Sequence, residues 1–320
     1  MKLELYLQNS NDGTVYNISD IAGQIQLYSS IDGEAGKLTC VLQKDPNNLL
    51  KIANGSIVSF IVDSVGMFFG YIFKIGTDAE QNYQITCYDQ LRYLKNSDIY
   101  TTKNMTASDI FAKVCKDYNL KYKIKAPTSF IPTAYNHTNK SLYSIIERGM
   151  NLASINDNKT YFIKDEFGEI TWSELGLEKT NIQIGSGSAM YGYKYEKSID
   201  SDTFNQIKLY IEDKESGTIK SRIVKDSDNI KRWGTLQYLK SVDKETNEAQ
   251  MRTLAENYLK VKNRETETLS IEAIGIKELT AGKGIKFILE REGIDKWMWI
   301  KSATHTFTKY EHTMDLEVDI

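Results

Sequence analysis

Histidine, cysteine and proline each occur only three times in these 320 residues. The cysteines, Cys40, Cys87 and Cys115, are far apart and odd in number. That excludes a disulfide framework and any CxxC metal spacing, and it suits a chain made in a reducing cytoplasm. Long apolar runs are also missing. The longest, "VGMFFGYIF", is far below the ~20 residues a membrane helix needs, so no stable membrane insertion is expected. The N-terminal "MKLELYLQNSNDG" alternates instead of running apolar, unlike a signal peptide. No run of like charge stands out at a net charge of −3 and a pI near 5.8. The basic stripe of a specific nucleic-acid binder is therefore absent. GxSxG, HExxH and GxxxxGK[ST] motifs are absent too, and "GSGSAMYG" reads as a linker, not a phosphate loop.

What is present is ordinary globular material, 41% hydrophobic and 26% charged, enough for about two or three domains. Residues 1–96 read as short strands. In "KLELYLQ", Leu3, Leu5 and Leu7 alternate with Lys2, Glu4 and Tyr6, and further strands follow between Gly, Asn and Asp turns. Residues 97–182 change character. "TASDIFAKVCKDYNL" carries a capping signal at Thr106 and Ser108, then Ile110, Phe111, Val114 and Tyr118 at helical spacing. "KSLYSIIERGMNLASI" is a second helix, and "KTYFIKDEFGEITWSEL" a hairpin turning at 165–168. Residues 183–320 return to strands, with one helix carrying Met251, Leu254, Tyr258 and Val261. The fold class is mainly β with an α+β insert.

An internal repeat ties the two strand-rich ends together. "ANGSIVSFIV", "FFGYIFKI" and "NYQITCYD" match "TAGKGIKFIL", "KWMWIKSA" and "HTMDLEVD". Gly55 aligns with Gly282, and Val58, Phe60 and Val62 with Ile285, Phe287 and Leu289. Phe69 and Tyr71 align with Trp297 and Trp299, and Tyr83, Ile85 and Cys87 with Met314, Leu316 and Val318. The expectation is one barrel type used twice, 1–96 and 183–320, flanking the insert.

Candidate chemistry is thin. His305 and His312 lie in the terminal hairpin, where the alternation places His305 opposite Leu316 and far from His312. Two separated histidines do not make the three or four converging ligands of a zinc site. Glu169 and Glu174 are spaced like a glycosidase pair but suit a solvated hairpin. The 20 tyrosines and four tryptophans, Trp297 and Trp299 among them, suit either a sugar-binding face or ordinary strands, which favour aromatics. No catalytic, cofactor-binding or metal residue is assigned.

The stretch "FFGYIF" followed by "CYDQLRYLKNSDIYTTKNMTASDIF" resembles the XkdQ family of hub proteins from phages and phage-tail-like particles. The "NGSIVSF" turn, the "SLYSIIERG" helix and the "SATHTFTKYEHTMDLEVD" ending support the likeness along nearly the whole chain. Within it, Asp89 ends a strand, and Leu91 and Leu94 are placed to cap a barrel mouth. The resemblance implies a non-enzymatic structural protein with two tube-like β-barrels per chain. It implies a homotrimer at the baseplate of a contractile tail or tail-like bacteriocin. Its partners would be the tail tube protein, the central spike protein, baseplate wedge proteins and the tape-measure protein. A cell-wall sugar-binding module or a peptidoglycan hydrolase component is the alternative.

Overall fold

The structure is a computed structural model. It describes residues 1–44, 49–200, 202–213, 217–242, 244 and 246–319. The first strand group comprises β1 (Leu3–Gln8), β2 (Val15–Asn17), β3 (Ala22–Ser30), β4 (Lys37–Leu42), β5 (Ile57–Val62), β6 (Val65–Thr77) and β7 (Tyr83–Tyr88). Period-2 alternation decides which face is buried. On β5, Val58, Phe60 and Val62 point inward, with Leu5, Leu7, Leu38 and Ile85 around them.

Residues after β7 build the insert: β8 (Ser97–Thr102), α1 (Ala107–Asp117), β9 (Tyr122–Ile124), β10 (Tyr135–Ser141), α2 (Leu142–Asp157), β11 (Tyr161–Asp165) and β12 (Ile170–Glu174). A capping box starts α1. The Thr106 hydroxyl accepts from the Asp109 N–H, and the Asp109 carboxylate accepts from the Thr106 N–H, each at 3.2 Å. Ile110, Phe111 and Val114 then meet Leu142, Ile145 and Ile146 of α2 over the fully buried Trp172, whose Nε1–H donates to the Ala126 carbonyl at 2.9 Å. Leu91 and Leu94 belong to this core. They do not cap a strand group as the sequence suggested. Asp89 accepts from the Leu91 N–H and starts a short 3-10 turn, which swings both leucines under α2.

The remaining strands are β13 (Lys179–Gly185), β14 (Met190–Ser198), β15 (Gln206–Asp213), β16 (Thr218–Lys225), β17 (Gln237–Ser241), β18 (Thr266–Ile274), β19 (Gly284–Leu289), β20 (Ile294–Phe307) and β21 (His312–Asp319), with helices α3 (Ser227–Trp233) and α4 (Glu248–Lys262). The segment read as a linker holds the last residue of β13, the turn and the first three residues of β14. Strands β15 to β17 leave the main sheet. They form their own three-stranded sheet, and α4 covers it through Met251, Ala255 and Tyr258. Among the described residues the last third thus holds two helices and an added layer, where the sequence reading had strands and one helix.

One 13-stranded sheet runs through both strand-rich ends, in the order β14-β18-β21-β20-β3-β4-β7-β6-β5-β1-β2, with β19 and β13 branching from β20. Backbone pairing among the described residues closes neither end into a barrel. The sheet carries two separate apolar cores, joined where β20 pairs β3.

The internal repeat holds at the level of register. In the first group Val58 faces Gly70 and Ser59 faces Phe69; in the second Ile285 faces Met298 and Lys286 faces Trp297. A bulge falls between Ile72 and Lys74 on β6, and another at the aligned place between Ile300 and Ser302 on β20. Ile85 pairs both Ile75 and Cys40, and Leu316 likewise pairs both Ala303 and Ile271. The repeat also reaches strands the sequence comparison left out. β4 corresponds to β18, and β3 to β14 with a bulge at the same point in each. The correspondence ends at β1, which runs antiparallel to β5, whereas β13 runs parallel to β19.

Candidate functional site: strand edges, a histidine pair and a charged junction

Three places concentrate polar or unpaired groups. The first is the terminal hairpin. Its turn occupies only 308–311, closed by the Thr308 N–H donating to the Glu311 carbonyl at 2.8 Å. His305 therefore faces Met314, not Leu316, and Phe307 faces His312. The two histidines become diagonal neighbours on one face. His305 Nε2 lies 2.9 Å from the Leu279 carbonyl, so it carries the proton and donates. His305 Nδ1 is then an acceptor for the His312 Nε2–H, also at 2.9 Å. The His312 ring stacks on Phe307 at a centroid distance of 4.0 Å. Burial pushes His305 below the usual imidazole range. Burial and the neighbouring His305 push His312 down to about 4. The expected separation of the two rings is thus corrected: they touch, as a neutral, hydrogen-bonded pair whose facing nitrogens are used on each other. No third histidine, cysteine or carboxylate converges on them among the described residues.

The second place is a cavity of about 360 Å³ where the insert meets both strand groups, lined among others by Asp89, Asp165, Lys164, Lys283 and His305. Asp89 accepts from the Gly36 N–H at 2.7 Å and the Leu91 N–H at 2.9 Å. Asp165 accepts from the Gly168 N–H at 2.7 Å, while its other carboxylate oxygen is buried with no hydrogen-bond partner among the described residues. Burial first, and for Asp89 the charge of Asp165 next, hold both carboxyls above the usual range. Beside them is a clasp. Lys164 reaches Glu166 at 3.0 Å and Glu178 at 3.1 Å, Lys283 reaches Glu178 at 2.7 Å, and Lys125 bridges Glu166 at 2.8 Å and also Glu178. Burial alone would raise the Glu178 carboxyl, but Lys164, Lys125 and Lys283 hold it down at about 2. Sequence reasoning missed this junction. Its one visible signal was the charged "KDE" breaking the apolar run of "YFIKDEF".

The other candidates disperse. Glu169 precedes β12 and Glu174 ends it, five residues apart, roughly 16 Å along a strand. That exceeds the span of a glycosidase pair, and Glu174 is tied to Lys159 at 2.8 Å. Trp297 and Trp299 already carry the Lys179 ammonium at 5.1 and 5.9 Å from their ring centroids. Trp299 also lies over the Cβ-less Gly284, an ordinary cross-strand packing role. No described helix is long and apolar enough to cross a membrane.

The third place is the seam between the strand groups. β20 and β3 pair antiparallel, Ser302 opposite Ser30 through Phe307 opposite Ile25, extended by the Ile31 N–H donating to the Lys301 carbonyl at 3.0 Å. The repeat equivalents of these two strands, β6 and β14, have no such partner. β14 ends the sheet path, and the 74–77 part of β6 pairs only β7 among the described residues.

The YqbQ-like family matches residues 25–319. The phage-like element PBSX protein XkdQ of Bacillus subtilis (strain 168) is 28% identical over 296 residues, covering 88% of this chain and 86% of that protein. The 43 kDa tail protein of prophage MuSo2 from Shewanella oneidensis has a TM-score of 0.73 at 13% identity, with 98% of each chain covered. The E. coli c3393 protein is described as a type VI secretion component with structural similarity to the T4 tail proteins gp27 and gp5. It has a TM-score of 0.57 at 10% identity, over 99% of this chain and 76% of that one.

Proposed function

The chain belongs to the YqbQ-like family, and from that premise we propose that it is the structural hub of a phage-tail or tail-like baseplate, joining a sixfold tail tube to a threefold central spike. The observation that carries this reading is the shared register of the two strand groups, with matching bulges on β6 and β20 and on β3 and β14. A chain with two copies of one sheet unit presents six similar units from three copies. Such a ring matches a sixfold tube without leaving half of the tube's contacts unmet. The insert at 97–182 and the layer built on β15 to β17 occur once per chain, so they reduce six to three on the spike side.

In this reading residues 1–96 and 183–320 are two related barrels that close when the ring forms. The protein is a homotrimer in the particle. It contacts tube, spike and baseplate wedge proteins, and the tape-measure protein passes through the ring. Its place is the virion or tail-like particle, and its role is architectural, not enzymatic. The names of the similar proteins support a tail setting. Cryo-electron microscopy of the particle is the test. Three copies at the tube–spike junction, each giving two units to one ring, is the expected result. Six copies, or one unit per chain in the ring, would overturn it.

A further inference from the structure

Resting on that hub reading, we infer that neighbouring copies join head to tail through one strand seam: residues 73–78 of β6 and its turn in one copy pair antiparallel with residues 194–199 around β14 in the next. The chain already contains the template. Aligning β20 with β6 and β3 with β14 by the repeat converts the internal pair Ser302–Ser30 into Lys74–Ser198. It converts Ala303–Ser29 into Ile75–Lys197, Thr304–Tyr28 into Gly76–Glu196, and His305–Leu27 into Thr77–Tyr195.

Four observations carry the inference independently of any family likeness. Among the described residues both strands offer an unpaired edge, and an unpaired edge is a template for another strand. The end of β14 is also shaped like the end of β3. "SID" recurs at 30–32 and 198–200, and the Ser30 and Ser198 hydroxyls accept from the Asp32 and Asp200 N–H groups at 3.0 and 3.1 Å. Ile25 and Leu27 on β3 are sealed by the internal seam at 2% and 5% exposure, whereas Tyr193, the counterpart of Ile25, is 36% exposed. Finally, at Gly282 the Ile31 side chain packs 3.6 Å from the position of a Cβ, behind the closer Phe162 ring, while at Gly55 only Ser10 comes near, at 3.9 Å, which leaves room for Ile199 of the next copy. The transferred register also places Asp78 opposite Lys194, and Lys74 diagonal to Glu196, so opposite charges meet across the seam. Because the two edges differ, the contact is heterologous and repeats around a ring instead of stopping at a dimer.

Cysteine pairs in assembled particles test this. The Ile31 N–H to Lys301 carbonyl bond makes 301–31 a hydrogen-bonded pair, so 302–30 is the closer, non-hydrogen-bonded kind. Its counterpart is Lys74→Cys with Ser198→Cys. The register control is Lys74→Cys with Lys197→Cys, whose side chains leave opposite faces. Native Cys40, Cys87 and Cys115 are buried and do not compete. Mild oxidation should give linked species beyond the dimer, with a 74–198 junction peptide at about tenfold the control's yield. The chain present in the baseplate with no 74–198 link, or with equal linking in the control, overturns the seam and leaves the hub reading standing. Absence of the chain from the baseplate overturns both.

Discussion

Gly55 and Gly282 share a φ of +83°, and each donates its N–H at 2.8 Å to the aligned residue of the long strand beside it, Ile72 for one and Ile300 for the other. Their surroundings differ. A Cβ on Gly282 would come within 2.5 Å of the Phe162 ring of the insert, while a Cβ on Gly55 would meet nothing closer than 3.9 Å. Alanine at either site strains a left-handed backbone by about 1–2 kcal/mol, and at Gly282 overpacking adds about 1–3 kcal/mol. Gly282→Ala is therefore expected to destabilise more than Gly55→Ala. Denaturant unfolding of the two variants measures the difference, and equal losses would show that Phe162 yields freely.

The repeat was legible because it is written in inward-facing residues. Phe60 and Phe287, or Ile85 and Leu316, must be apolar in the same phase whatever surrounds them. Pairing partners of β3 were not legible, since Ser29, Ser30 and Tyr28 carry no sign of which strand lies beside them. The histidine contact was missed by two residues of turn length, enough to shift every cross-strand partner. The separate layer of β15 to β17 was hidden for a different reason. A strand under a helix and a strand in the main sheet alternate alike, and only the position of α4 tells them apart. Asp89 and Asp165 meet across 76 residues of chain, a distance no local pattern records.

Replacing His305 and His312 together with glutamine should cost about 1–3 kcal/mol at pH 8, from lost stacking and a disturbed buried hydrogen-bond chain. Both rings are neutral when folded and sit below the ordinary 6.5. The unfolded chain therefore binds more protons below that value, and the wild type loses stability as the pH falls from about 6.5 toward about 4. Glutamine does not titrate, so the gap between wild type and variant should narrow over that window. Unfolding at pH 8, 6 and 4.5 measures it, and a widening gap would contradict the neutral pair. Particle assembly should survive the double change. Stoichiometric zinc in the wild type, lost in the variant, would show that the rings hold a metal.

Asp165→Asn tests the buried acids. The folded carboxyl is raised from 3.8 to about 6, so its ionisation costs stability as the pH rises between those values, and that contribution is intact only below them. Asparagine keeps an acceptor for the Gly168 N–H and removes the charge facing Asp89. Relative to wild type, the variant should gain about 1–3 kcal/mol on going from pH 4 to pH 8. A flat difference across that range would place the charge elsewhere.

Glu178→Gln tests whether the clasp locks the insert to the strand groups. Glu178 lies just before β13 and takes Lys164 from β11, Lys125 from the segment after β9, and Lys283 from the turn before β19. Losing its charge leaves three lysines facing one another with Glu166 as the remaining carboxylate of the cluster. The expected cost at pH 7 is about 1–3 kcal/mol, below that of a fully buried pair because Lys125, Lys283 and Glu166 of the cluster stay partly exposed. The folded carboxyl lies near 2, against an ordinary 4.5, so its contribution is complete above 4.5 and fades as the pH falls toward 2. Wild type and variant should thus converge in acid. Hydrogen exchange gives the spatial test. Amides of β13 and of 279–284 should exchange faster in the variant, while β5, β6 and β7 keep their protection. Uniform loss of protection would mean that Glu178 supports the whole sheet. Confinement of the change to the junction would mean that it fixes the angle between insert and sheet.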